Sequence, residues 1–287
     1  MTDATGFFDM NAAPMRIGKV RLKVRDLDVV SGYYQAVLGL SEISRNDREA
    51  ILGMGGTPLL VLSADPDLTP GDRRQAGLFH TAFLMPDRAE LARWIGHVAE
   101  ARVQLQGASD HIVSEAFYLA DPEGNGIEVY ADRPVSQWLD GGGSIQMTTE
   151  PLDIDDLLTA AGNTRWSGFP AGGSIGHVHL QVGDTAAADR FYRDVLGFDV
   201  TVDYPGASFY GSGGYHHQLA GNIWNSRGAQ QRPTGMAGLD TVEIVVRDAA
   251  GIASAVARAA AAGIEAEQGA DGMMLRDPWG TAISLTS

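Results

Sequence analysis

The feature that most constrains the fold is a unit that occurs four times along the chain. In each unit a short stretch of alternating apolar and polar residues ends in an Asp, and the amphipathic pattern of a helix follows. Asp before such a pattern is a helix N-cap signal, so each opening predicts a strand and then a capped helix. The four openings are Lys19–Asp26, His80–Asp87, His177–Asp184 and Thr241–Asp248.

The units fall into two kinds by the way they continue. Units one and three carry two aromatic residues, then Leu and Gly, in Tyr33–Gly39 and Phe191–Gly197. The second aromatic residue and the Leu share one helical face, and the Gly ends the helix. Units two and four end with the turn sequence Asp-Pro-x-Gly, at Asp121–Gly124 and Asp277–Gly280. Each unit of roughly 50 residues therefore predicts a strand, a helix and about three further strands.

This βαβββ repeat resembles the module of the vicinal oxygen chelate superfamily over nearly the whole chain. The resemblance implies an α+β fold in which four modules pair into two curved mixed-sheet half-barrels, since one module alone leaves a sheet face uncovered. We expect an N-terminal glyoxalase-like domain at 1–131 and a C-terminal one at 175–287. The modules occupy residues 16–64, 78–131, 175–227 and 238–287. The segment 132–174, rich in Gly and Pro, predicts a linker with one short helix around Asp153–Ala160.

The segment from His111 to Glu128 carries the strongest functional signal. It places a histidine, a tyrosine and a carboxylate on two adjacent extended segments that the Asp-Pro-x-Gly turn joins. Imidazole and carboxylate suit a redox-active divalent iron, and a phenol can hydrogen-bond a bound substrate. The spacing resembles the signature of the extradiol ring-cleaving dioxygenases of the same superfamily, with Ser109 as the one small departure. By this resemblance His111 and Tyr118 hydrogen-bond a substrate hydroxyl or the leaving oxygen.

In this superfamily the metal ligands project from the first and last strands of a module. At those positions units one and four offer side chains that cannot hold a divalent iron, Lys19, Thr241 and Ser284. Units two and three offer the facial triad of non-haem Fe(II) oxygenases, His80, Glu128 and His177. This ligand set implies Fe(II), with Mn(II) as the alternative ion, and a crossed pairing of unit two with three and one with four. His179 is the alternative to His177 because it lies on the same strand face.

A second histidine motif, His216-His217, precedes an apolar stretch in unit three. It resembles the paired histidine of extradiol dioxygenases, whose second member is the acid–base catalyst, so we expect His217 in that role. Adjacent strand residues face opposite ways, so only one of the two points into the cleft. Deprotonation of a catechol requires such a group, and an imidazole exchanges protons near neutral pH. Three aromatic residues are candidates for a pocket, although packing explains them equally well: Phe209, Tyr210 and Trp224.

The resemblance favours an extradiol dioxygenase that acts on a catechol-type ring with O2. One alternative is a glyoxalase-type isomerase or lyase, which shares the fold but typically has a second carboxylate ligand. No Asp or Glu occurs between Gly211 and Gly238, which counts against it. The other alternative is a metal-free small-molecule-binding resistance protein, in which the intact triad would have no role.

The composition argues against other classes of protein. A net charge of −15 argues against a nucleic-acid partner, and the absence of cysteine excludes disulfides and thiolate metal sites. No apolar run approaches the roughly 18 residues of a membrane span, so we expect no membrane association. The N-terminus lacks the pattern of a signal peptide, and a cytoplasmic location is therefore expected. The sequence does not determine whether the protein forms homo-oligomers or which substituent the catechol substrate carries.

Overall fold

The computed structural model describes residue 2 and residues 6–287, and it forms two eight-stranded mixed sheets with helices packed against them. Module one comprises β1 (Met15–Val24), α1 (Leu27–Leu38), β2 (Ser41–Arg45), β3 (Glu49–Met54) and β4 (Thr57–Ala64). Module two comprises β5 (Gly77–Met85), α2 (Arg88–Glu100), β6 (Gly107–Asp110), β7 (Ser114–Ala120) and β8 (Gly126–Asp132). The linker holds α3 (Ile154–Thr159), as predicted.

The second half of the chain repeats this plan. Module three comprises β9 (Ser174–Gln181), α4 (Thr185–Asp189), a π-helical stretch (Arg190–Leu196), β10 (Asp199–Tyr204), β11 (Ala207–Gly211) and β12 (Leu219–Asn222). Module four comprises β13 (Gly238–Val246), α5 (Ala249–Ala261), β14 (Glu267–Gln268), β15 (Met273–Arg276) and β16 (Ala282–Thr286). Short 3-10 turns lie at Met10–Ala12 and Val135–Gln137. None of the helices in the described part of the chain is long and apolar enough to cross a membrane.

The modules pair in the crossed manner that the sequence predicts. The first sheet has the strand order β14-β15-β16-β13-β1-β4-β3-β2, and the second has β10-β11-β12-β9-β5-β8-β7-β6. Modules one and four thus share the first sheet, and modules two and three share the second. At each centre the first strands of two modules run antiparallel, β1 beside β13 and β5 beside β9. The two-domain division at 1–131 and 175–287 stays a prediction, since each sheet takes strands from both segments.

The helices begin as predicted, each at the Asp that closes the first strand. The four carboxylates accept a hydrogen bond from the backbone N–H three residues later, and they belong to Asp26, Asp87, Asp184 and Asp248. In modules one and three the helix ends at Gly39 and Gly197, whose φ angles of 71° and 93° favour glycine. Module three differs from the sequence prediction, because its helix continues as a π-helical turn through Tyr192.

Candidate metal centre and substrate cavity

Three buried side chains converge at the centre of the second sheet. They are His80 on β5, Glu128 on β8 and His177 on β9. His80 Nε2 lies 2.8 Å from Glu128 Oε2, and His177 Nε2 lies 3.2 Å from the same oxygen. The two Nε2 atoms are 3.3 Å apart. The crossed pairing of modules two and three therefore brings together all three side chains that the sequence nominated as ligands.

The separations fit a divalent metal ion bound on one face. At bond lengths of about 2.1 Å, neighbouring donors of an octahedron lie about 3.0 Å apart, and the three separations bracket that value. Two imidazoles and a carboxylate in this arrangement would leave the opposite face of a bound ion open to further ligands. Among the described residues, these three side chains form the one group of His, Cys, Asp or Glu that could hold a metal ion.

Burial and mutual contact set the charge states of these groups. Burial lowers the pKa of His177 to about 4, against the opposing effect of Glu128. Burial by itself raises the pKa of Glu128, but the imidazoles of His177 and His80 together lower it by more, so the pKa lies well below its usual value. At neutral pH the group therefore presents a carboxylate and a neutral His177 imidazole, the forms that bind metal ions.

The first sheet carries an ion pair at the corresponding place. Ser284 occupies the position in module four that Glu128 occupies in module two, as predicted. Each residue pairs with the first-strand residue two places after the opening position, Ser284 with Glu243 and Glu128 with Ala82. Lys19 stands at the first-strand position of module one, and its Nζ lies 3.7 Å from Glu243 Oε1. The same ammonium group lies 3.2 Å from Asp271 Oδ2, and the first sheet offers no counterpart of the triad within the described residues.

His111 and Tyr118 form a hydrogen-bonded pair on the wall beside the triad. His111 Nε2 lies 2.6 Å from Tyr118 Oη, and His111 Nδ1 lies 2.5 Å from the carbonyl oxygen of Thr148. The carbonyl can only accept, so Nδ1 donates to it and Nε2 of the neutral ring accepts from the phenol. Burial, aided by the negative charge of Glu128, raises the pKa of Tyr118 well above its usual value. The phenol therefore stays protonated, with its ring centroid 5.7 Å from that of His80.

A strained turn holds His111 in place. Ile112 adopts a φ of 69°, in the left-handed region that a β-branched residue rarely enters. Its N–H donates to Asp110 Oδ1 at 2.9 Å, and the backbones of Asp110 and Glu150 exchange two hydrogen bonds. A left-handed non-glycine residue costs on the order of 1–3 kcal/mol and persists where its surroundings enforce it. The linker, which supplies Glu150, is one such constraint.

His217 lies on the other side of the triad, with its ring centroid 4.1 Å from that of His177. Its Nδ1 lies 2.8 Å from Nδ1 of His216, and His216 Nε2 lies 2.9 Å from Asp132 Oδ1. The carboxylate accepts from His216 Nε2, so when the His216 ring is neutral its Nδ1 accepts from Nδ1 of His217. The remaining nitrogen, Nε2 of His217, is then an unprotonated base. Burial lowers the pKa of His217 well below its usual value, and His177 and His216 lower it further.

Only His217 of the histidine pair lines the cavity, while His216 is completely buried behind it. One histidine of the pair faces the cleft, as expected, but strand alternation is not the reason. Both residues lie in the loop before β12, so strand alternation does not separate them. The hydrogen bond from His216 to Asp132 turns its ring away from the cavity.

His179 adjoins the triad without joining it. Asn222 Nδ2 donates to His179 Nε2 at 3.0 Å, which engages that nitrogen elsewhere. The His179 ring packs against three aromatic rings at centroid distances of 5.0, 5.5 and 5.7 Å, those of Phe79, Trp224 and Phe209. His177 is therefore the histidine of β9 that meets His80 and Glu128.

A cavity of about 270 Å³ opens from the triad. Its lining comprises Phe79, His80, Ser109, His111, Ser114, Tyr118, Glu128, Met147, Thr148, Thr149, His177, His179, Tyr204, Phe209, His217 and Trp224. Phe209 and Trp224 thus occupy the predicted aromatic pocket. Tyr210 does not, because it points to the opposite side of β11 and donates to Asp189 Oδ1 at 2.8 Å.

Two parts of the site had not been foreseen. Asp132 shares a strand face with Glu128 at a spacing of four residues, so strand alternation was a signal that could have identified it. Met147, Thr148 and Thr149 come from the linker, where no repeat or motif marks them. The linker is thus one wall of the cavity, and the Thr148 carbonyl fixes the tautomer of His111.

Comparisons with known proteins agree with this fold. A catechol-2,3-dioxygenase of Bacillus subtilis (strain 168) is 40% identical over 267 residues, which is 91% of this chain and 93% of that protein. Glyoxalase I from Zea mays has the same fold, with a TM-score of 0.57 and 17% identity over 96% of this chain and 93% of its own. A putative dioxygenase from Bacillus subtilis gives a TM-score of 0.61 at 12% identity, over 94% and 84% of the two chains.

The family model described as the glyoxalase/bleomycin resistance protein/dioxygenase superfamily matches residues 16–129 and 174–285. These two ranges take in the helices of all four modules and all but a few end residues of their strands, and they leave out the linker helix. The chain therefore belongs to the glyoxalase/bleomycin resistance protein/dioxygenase superfamily.

Proposed function

We propose that this protein is an extradiol dioxygenase that opens a catechol-type ring at an Fe(II) ion held by His80, His177 and Glu128. The observation that carries the proposal is the facial arrangement of these three donors beneath a cavity lined by His111, Tyr118 and His217. The 40% identity to a protein named catechol-2,3-dioxygenase supports the same reaction. Mn(II) prefers the same kinds of donor, so it is the alternative ion.

The reaction breaks the ring bond beside one of the two hydroxylated carbons and the bond of dioxygen. One oxygen atom enters the new carboxylate and the other enters the new aldehyde or ketone. The substrate supplies all the electrons that reduce dioxygen, so no external reductant is needed. The ion supplies a Lewis acid and a one-electron path between the chelated substrate and dioxygen.

His217 is the base that this reaction requires. A catechol must lose hydroxyl protons to chelate an ion, and Nε2 of His217 is free to accept one because its Nδ1 is occupied by His216. Asp132 positions this pair through His216. On the opposite wall, the Tyr118 hydroxyl gives its one hydrogen to His111 Nε2, so its oxygen can accept a hydrogen bond from a substrate hydroxyl.

The two rival functions lack support from the site. A glyoxalase-type centre typically has a second carboxylate, but Ala220 takes that place in module three. It pairs with His179 as Glu128 pairs with Ala82. A metal-free binding protein would bury the carboxylate of Glu128 against two histidines at a desolvation cost that binding does not require.

The test is anaerobic reconstitution of the purified protein with Fe(II), followed by measurement of O2 uptake and product absorbance on a panel of catechols. We expect one O2 consumed per ring opened, with both ¹⁸O atoms of labelled dioxygen in the product. Parallel reconstitution with Mn(II) decides between the two ions. Glyoxalase activity with no O2 uptake, or the absence of bound iron and manganese after reconstitution, would overturn the proposal.

A further inference from the structure

The cavity is divided into a polar floor and an aromatic mouth. The floor contains the triad together with His111, Tyr118, His179 and His217, all of them imidazole, phenol or carboxylate groups. Five large apolar or aromatic side chains also line the cavity, Phe79, Met147, Tyr204, Phe209 and Trp224. Tyr204 and Trp224 are the exposed members of this group and form the mouth. A catechol chelated through its two oxygens at the floor directs the far edge of its ring, and any substituent there, into this mouth.

Several contacts fix the Trp224 side chain at the mouth. The Phe79 and Trp224 rings meet edge to face at a centroid distance of 5.5 Å. The Trp224 indole N–H donates to the carbonyl oxygen of Pro205 at 3.1 Å. A Cβ on the next residue, Gly206, would lie 3.2 Å from the Trp224 ring, and its φ of 78° favours glycine as well. Although it is 47% exposed, the Trp224 ring is therefore held in one orientation at the mouth of the cavity.

In the described part of the chain, the cavity lining has an acidic side chain but no permanently cationic one. No Lys or Arg is present among the lining residues that the structure describes, and Glu128 is the only carboxylate there. A carboxylate on the substrate would leave water for aromatic rings and would find no cation to pair with, which is costly. An uncharged apolar substituent would instead gain from burial against the same rings.

We infer that this site selects catechols with an uncharged, apolar substituent and discriminates against catechols that carry a carboxylate. The inference rests on the proposed function and narrows its substrate class. Trp224 is the specificity-determining residue that the geometry singles out, since it lies at the mouth and is exposed enough to accept a polar replacement.

The test compares three substrates on the Fe(II)-loaded protein near neutral pH: 4-methylcatechol, 3,4-dihydroxybenzamide and 3,4-dihydroxybenzoate. The amide and the carboxylate have nearly the same shape and both withdraw electrons, so their ratio isolates the charge. We expect kcat/KM for the carboxylate to be about 10- to 100-fold below that for the amide, and 4-methylcatechol to be the best of the three.

The Trp224→Arg variant places a cation at the mouth, and the Trp224→Phe variant is its matched control. We expect Trp224→Arg to raise kcat/KM for the carboxylate relative to the amide by about tenfold, and Trp224→Phe to leave that ratio as it is. Equal kcat/KM for carboxylate and amide in the unmodified protein would overturn the inference and leave the proposed function intact. Failure to cleave any catechol, including unsubstituted catechol, would overturn both.

Discussion

Tyr192 donates its phenolic hydrogen to Oδ2 of Asp277 at 2.9 Å, and this bond joins module three to module four. Tyr34 and Asp121 form the equivalent, longer contact of 3.4 Å between modules one and two. Both bonds link a repeated helix aromatic residue to a repeated Asp-Pro-x-Gly turn. The sheets join modules one with four and two with three, so the two kinds of contact connect all four modules in a closed cycle.

Removal of the Tyr192 hydroxyl should destabilise the protein without changing its site. In Tyr192→Phe the buried Asp277 keeps its bonds from the backbone N–H groups of Trp279 and Thr281 but loses the phenol. We expect the free energy of unfolding to fall by about 1–3 kcal/mol, as measured by urea denaturation. Tyr34→Phe is the matched control and should cost less, because its bond is longer. Equal losses in the two variants would contradict this account.

Loss of one triad histidine should abolish metal retention. His80→Ala removes the donor that lies closest to Glu128 Oε2, and two remaining ligands hold a divalent ion poorly. We expect the affinity for Fe(II) or Mn(II) to fall by about 10²-fold or more. Elemental analysis after gel filtration should then find little bound metal. His97→Ala, a helix histidine bonded to the Ala36 carbonyl, should retain the full metal content. Full retention by His80→Ala would refute the assignment.

Replacement of His217 should separate proton transfer from binding. His217→Ala removes the base but none of the three triad donors. We expect unchanged metal content and substrate affinity with kcat lowered by about 10²–10⁴-fold, the contribution of a positioned acid–base group. Single-turnover kinetics and anaerobic substrate titration give the two quantities. A variant with full turnover would show that the base lies elsewhere.

Asp132 should affect turnover through the protonation pattern of the histidine pair. In Asp132→Asn the amide can donate to His216 Nε2, which would shift the His216 proton to Nδ1 and leave Nδ1 of His217 to accept. His217 Nε2 would then carry the proton and could not accept one from substrate. We expect kcat to fall by about 10- to 100-fold with little change in KM, and a shifted pH profile.

The conservative variant Asp132→Glu keeps the carboxylate and should recover part of this kcat. A merely structural role predicts instead that Asn, the closer match in shape, is tolerated better than Glu. That order of activities would contradict the positioning role.

The metal-free protein should lose stability as the pH falls from 6.5 to about 4. Burial holds the pKa of His177 at about 4 in the folded protein, against 6.5 for an exposed imidazole. Within this window the unfolded chain binds the additional proton, so the free energy of unfolding increases with pH and its full value is reached above pH 6.5. Urea denaturation in EDTA at several pH values measures this slope. His177→Gln should show a shallower slope, and an equal slope in both proteins would exclude His177 as its source.

The fold was predictable because the same sequence pattern occurs in all four modules. Four equivalent openings gave four chances to recognise a strand and a capped helix, and the triad histidines lie at equivalent positions of two openings. The crossed pairing followed from ligand chemistry, since only modules two and three together contain two histidines and a carboxylate.

What the sequence did not predict lies in the linker and in local details of module three. Thr148 is in the linker and acts through its backbone carbonyl, a group that every residue carries, so residue type provides no signal. The inward and outward faces of β11 could not be assigned before its register was known, and Tyr210 was for that reason an open candidate. The π-helical turn at Tyr192 changes the helical period locally and leaves no mark in the apolar spacing.

The crossed pairing also constrains the order in which the chain can fold. During synthesis β1 and β5 are made long before β13 and β9, the strands that cover their edges. Until residue 246 has left the ribosome, at least one central strand presents unpaired N–H and C=O groups to any other chain, which is how edge strands aggregate. A chain that ended prematurely near the linker would lack β9 and β13, so its β1 and β5 would keep edges that the complete protein covers.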